Sequence, residues 1–128
     1  MNSKLDDLIS TTQGRIDAWR AQARVIADQA TAAEQRGAVD PEDLVFIEQL
    51  ATAMFKEMAD LDAARDGLGA LDEEEINRFA RIGDGVRLVL LEITELGNRM
   101  YRVEPEGGAI LPEWIHRAEA LRIPAPVF

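Results

Sequence analysis

Apolar and small residues recur from residue 5 onward in alternating steps of four and three: Leu5, Ile9, Thr12, Ile16, Trp19, Ala23, Ile26, Ala30, Ala33 and Gly37. That alternation returns to one side of a helix every two turns, the mark of a coiled-coil seam. The same spacing resumes at Leu44, Ile47, Ala51, Met54, Met58 and Leu61. It returns a third time at Ile76, Phe79, Gly83, Val86, Leu90, Ile93, Gly97 and Met100. The third run carries a further row, Ile82, Val89, Leu96 and Val103, so its apolar face is wide enough for more than one neighbour.

Boundary residues divide these runs into helices of about 3 to 37, 41 to 66 and 72 to 103. Ser3 with Asp6, Asp40 with Asp43 and Asp72 with Glu75 each set an acceptor before a helical run and an acid three residues on. Pro41 suits a first helical position, where its missing N–H is no loss. Arg36 with Gly37, and Arg65 with Gly67 and Gly69, supply the cation and glycine that a helix C-terminus favours. Gly14, Gly83 and Gly85 mark places where a helix could start late or break, each glycine costing about 1 kcal/mol in a helix interior.

Short connections between long helices predict an all-α fold, an elongated antiparallel up-down-up bundle formed by residues 1–103. Residues 104–128 form a linker, a short helix and a proline-containing extended tail belonging to the same domain. In that short helix Pro112 opens and Pro124 closes, with Trp114, Ala118 and Leu121 on one side and Ile115 beside them. His116, Arg117, Glu119 and Arg122 are left toward water. Three thin rods bury surface poorly, so a homodimer is expected.

Charge changes the picture in one place. The chain's net charge is −10, and residues 40–75, with 12 acidic and 2 basic side chains, account for all of it. Such a balance argues against direct binding to nucleic acid or to an anionic membrane surface. It allows a basic protein partner, or an inhibitor that mimics nucleic acid through an acidic face of Glu48, Asp60, Asp66 and Glu73. The plainer reading pairs these charges within the bundle: tight turns would set Arg15 and Arg20 opposite the stretch from Glu57 to Asp62, and Arg78 and Arg81 opposite Asp60 and Glu57.

Catalytic chemistry finds little footing. There is no cysteine, one histidine, and only Ser3 and Ser10 as serines, so neither thiolate chemistry nor a serine–histidine pair is indicated. No apolar run is long enough for a membrane span and the N-terminus lacks a signal-peptide pattern, which makes a cytoplasmic location the expectation. Glu57-x-x-Asp60 and Glu92-x-x-Glu95 each place two carboxylates at i, i+3, oxygen donors of the kind that suit Mg²⁺. This pair resembles the all-α nucleotide pyrophosphohydrolases, whose pattern is E-x-x-E then E-x-x-D on neighbouring helices; the order here is reversed. The resemblance implies Mg²⁺-dependent nucleotide hydrolysis. Expected register, however, puts Glu57 roughly 16 Å along the bundle from Glu92, and both Glu92 and Glu95 fall outside the seam.

The sequence therefore points to a non-enzymatic interaction module with no metal or cofactor, acting through self-association and its C-terminal tail. Its expected anchors are Trp114, Ile115, Leu121, Val127 and Phe128, placed either on the chain's own bundle or on another chain.

Overall fold

The computed structural model describes residues 2–103 and 111–122, and among these every regular element is helical. Helix α1 spans Ser3–Arg36, α2 Pro41–Asp66, α3 Glu73–Tyr101 and α4 Glu113–Glu119, the last continued by a 3-10 turn over Ala120–Arg122. The three long boundaries agree with the capping signals, with one correction. Asn2, not Ser3, caps α1: its side-chain oxygen accepts the Leu5 N–H at 3.1 Å while its Nδ2 donates to the Leu68 carbonyl at 3.0 Å. An amide can donate and accept at once, so one side chain both starts α1 and ties it to the end of α2.

The other caps follow the sequence. Asp40 accepts from the Glu42 N–H behind Pro41, and Asp72 with Glu75 forms a reciprocal capping box. Gly37 takes a left-handed φ of 72°, which lets its N–H reach the Ala33 carbonyl and stop α1. Gly14, Gly83 and Gly85 all lie inside unbroken helices.

Helix α3 holds the assembly together. Most of the packing of α1 and α2 is against α3, whereas α1 and α2 meet each other sparingly. Its buried side chains, Phe79, Ile82, Val86, Val89, Leu90, Ile93, Leu96 and Met100, combine the two rows read in the sequence. Ile76 departs from that reading and is exposed. On α1, Leu5, Ile16, Ala23, Ile26, Ala30 and Ala33 are buried, while Ile9 and Trp19 are only partly covered.

Register differs from the tight-turn expectation. The Ala38 N–H also reaches the Ala33 carbonyl and Val39 is buried, so the connection folds back over the last turn of α1 before α2 begins. Glu57 consequently meets Thr12 and Arg15, where a tight turn would have placed it beside Arg20. Arg78 pairs with Asp6 of α1 at 2.9 Å, not with Asp60, and Asp60 is held by Lys56 one turn away on its own helix. Arg81 turns its Nε to the Asn77 carbonyl.

Among the described residues Glu57 is also the one acidic side chain that the core takes in, at 6% exposure. It occupies a seam position between Met54 and Leu61, and its two oxygens accept from the Thr12 hydroxyl at 3.2 Å and the Arg15 guanidinium at 2.5 Å. A buried carboxylate is tolerated only with such partners. Arg15→Met should lower unfolding stability by about 1–2 kcal/mol, since its half-exposed side chain is partly replaced by water. Adding Glu57→Met should restore most of that loss, because the uncompensated charge is gone and Thr12 can bond back to its own helix. Denaturant unfolding of both single variants and the double variant measures the coupling; additive losses would contradict it.

Candidate functional site

The outer surface of α3 beside α2 is a groove, and its half nearest the α3 C-terminus is filled by α4. Trp114, Ile115 and Ala118 are buried there, and Leu121 is partly covered. The indole of Trp114 lies over Gly97 and meets the Tyr101 ring edge-on, with centroids 6.4 Å apart. Arg117 reaches across to α2 and stacks on Phe55, 4.0 Å from the ring centre. Asn98 donates to Glu119 at 2.8 Å, and Arg87 donates to the Leu121 carbonyl at 3.4 Å. The short helix thus lies along α3 with Trp114 near Gly97 and its far end near Arg87, and does not close over the end of the bundle.

These contacts locate the expected anchors. Trp114 and Ile115 are spent on the chain's own core, so neither is a free hook for another chain in this arrangement. Val127 and Phe128 lie outside the described residues. His116 faces solvent as the helical pattern indicated. Burial pushes the Tyr101 hydroxyl above its ordinary pKa; the neighbouring Trp114 indole opposes this and the Glu48 charge adds to it.

Beyond Leu121 the same groove continues, uncovered by any other described residue. Met58, Leu61, Asp62 and Arg65 of α2 face Phe79, Ala80, Gly83, Asp84 and Arg87 of α3 around a hollow of about 320 Å³. Its floor is apolar, and its rim carries two acids and two guanidiniums. Arg65 sits over the Phe79 ring, 5.8 Å from its centre, and Arg87 is 3.5 Å from Asp84. Gly83 lines the hollow: a Cβ built there would meet nothing within 4 Å, although the position belongs to the α3 seam.

A larger recess of about 600 Å³ lies among Glu34, Gly37, Glu95, Asn98, Arg99, Arg102, Val103 and Glu119. Two of its charges, Glu34 and Arg99, pair with each other. Arg99 binds both Glu34 and Thr31, and its hydrogen bond holds the Glu34 carboxyl below the usual carboxylate range. Whatever that exposed pair adds is present above the ordinary carboxyl pKa and fades as pH falls through the lowered one.

The acidic residues do not assemble into one face. Glu48, Asp60, Asp66 and Glu73 are all exposed, but at 100° per residue Asp60 points about 120° away from the line shared by Glu48 and Asp66. Among the described residues no three acidic or histidine side chains are grouped to hold a metal ion. Glu57, the central carboxylate of the Mg²⁺ pattern, is committed to Thr12 and Arg15. It is buried, at a position that the seam read in the sequence leaves out. The missed signal was its place in the row Leu50, Met54, Glu57, Leu61, three of whose members are apolar.

The open half of the groove was equally hidden in sequence, since Gly83 and Gly97 read there as equivalent small seam residues. Gly97 is filled by Trp114, whereas Gly83 is vacant. The close approach to α1 comes at Gly85, off the seam, where Ile16 packs. No protein-family model, characterised protein or solved structure matches the chain.

Two alanine substitutions separate the roles of these glycines. At Gly97 a Cβ would stand 2.8 Å from the Trp114 Cη2, and the buried indole would have to shift. Overpacking of about 1–3 kcal/mol should outweigh the gain in helix propensity of about 1 kcal/mol. At Gly85 the Cβ meets the terminal methyl of Ile16 at 2.9 Å, a group that can turn aside. Gly97→Ala should therefore lower the denaturation midpoint and perturb the near-ultraviolet signal of Trp114, while Gly85→Ala should change stability little. Equal effects would show that Gly97 does not seat the indole.

Proposed function

We propose that the chain is a non-enzymatic protein-interaction module, an up-down-up bundle that associates with itself and receives an apolar polypeptide segment in the α2–α3 groove. The topology is supported by the order of contacts: Asp6 beside Arg78 and Glu34 beside Arg99 on α1 and α3, with Arg15 beside Glu57 and Arg65 over Phe79 for the opposed α2. Self-association is supported by the α1 seam, where Ile9 and Trp19 remain half-covered.

One observation carries the binding reading. A single groove holds an amphipathic segment, α4, along half its length and continues beyond it as a hollow of about 320 Å³. Apolar floors rimmed by both charge signs suit a peptide, whose side chains fill the floor while its backbone carbonyls and N–H groups meet the rim.

Panning a random peptide library against the full chain and against Gly83→Leu tests this reading. Short apolar sequences should be enriched by the native chain and lost with Gly83→Leu, which fills the vacant seam position. Enrichment that ignores Gly83→Leu, or no enrichment from either protein, would remove the groove as a binding surface.

A further inference from the structure

We infer that two copies of this chain meet along the outer face of α1, antiparallel, with Asp17 of each copy beside Arg24 of the other. The inference rests on the self-association reading above and seats it on the side of α1 turned away from the buried seam.

Exposure defines the face. Thr11, Gly14, Ala18, Ala21, Val25 and Asp28 follow one another in alternating steps of three and four, and every one of them is exposed. At 100° per residue they share one side of α1, opposite Ile16, Ala23 and Ala30 in the core. Between Thr11 and Asp28 this line carries no charge, and Val25 on it is 55% exposed.

Gly14 adds a separate observation. It lies inside the unbroken α1, where glycine weakens a helix, and a Cβ there would meet nothing within 4 Å. No neighbour among the described residues calls for its small size. A second helix passing close by would.

Charge fixes the direction. Asp17 and Arg24 stand seven residues apart on the same edge of the face and carry opposite signs. Arg24 has no ion-pair partner among the described residues, and Asp17 accepts from the Gln13 amide of its own helix. A second copy turned end for end brings Asp17 beside Arg24 twice, the self-complementarity that a two-fold interface needs. The same rotation seats Val25 over Gly14 and Ala18 against Ala21, so the branched side chain meets the residue that lacks a Cβ. Thr11 falls opposite Asp28, whose carboxylate can accept from the threonine hydroxyl and close each end of the contact. A parallel pair would set Asp28 against Asp28 across the contact and leave Asp17 and Arg24 facing Gln22 and Gln29.

Sedimentation equilibrium of the full chain at low salt, where exposed charges are least screened, tests the inference. The native chain should dimerise. Asp17→Arg and Arg24→Asp should each weaken the dimer about tenfold or more, since both pairs become like charges. An equimolar mixture of the two variants should recover the native dimer constant, because each mixed pair restores both opposites. Gly14→Leu favours the helix but occupies the place of Val25, so it should also weaken the dimer several-fold. All three positions are exposed, and circular dichroism should show unchanged helix content. A dimer indifferent to these changes, or charge variants that stay apart when mixed, would overturn the inference and leave self-association to another face. A native chain that is monomeric even at millimolar concentration would overturn both.

Discussion

Helix α3 presents more apolar surface than one neighbouring helix can cover, and the rest of the fold follows from that constraint. Two interleaved rows, one through Phe79, Val86, Leu90 and Ile93 and one through Ile82, Val89 and Leu96, make a stripe broader than a two-helix seam. Helices α1 and α2 flank it and touch each other little. What remains toward the α3 C-terminus is covered by α4, a segment of seven helical residues too short to be stable alone in water. Its order comes from Trp114 on Gly97, Ile115 in the core and Arg117 on Phe55.

Small residues set how closely each neighbour approaches. The second half of the α1 seam is largely alanine, which draws α1 near α3 but contributes modest buried area per residue. On the opposite side, α4 adds an indole and an isoleucine at the same level of the bundle. The two faces are therefore complementary in thickness: a slim, close contact on one side and a bulky, later addition on the other. Below α4 no such addition among the described residues covers Gly83.

The sequence was informative about what is local and repetitive. Heptad spacing identified three long helices, caps placed their ends within two residues, and helix periodicity separated Trp114, Ala118 and Leu121 from His116. Register was not legible, because it depends on how the short connection folds back over Ala33 and buries Val39. The offset there is about six residues, and Glu57 meets Thr12 and Arg15 instead of Arg20. The groove was also illegible: Gly83 and Gly97 are alike as letters, and only the position of α4 makes one filled and the other vacant.

The sparse contact between α1 and α2 bears on how this chain is made. A ribosome delivers α1 and α2 first, and these two helices have little shared interior with which to form a hairpin. Their apolar stripes lack a partner until α3 has emerged as far as Met100, and the outer side of α3 waits longer still for Trp114. Collapse is thus deferred to the third helix, and nascent chains pass through a stage in which the apolar stripes of α1 and α2 are uncovered together. A cell that makes this protein must shield that intermediate or complete the chain faster than neighbouring nascent chains can find it.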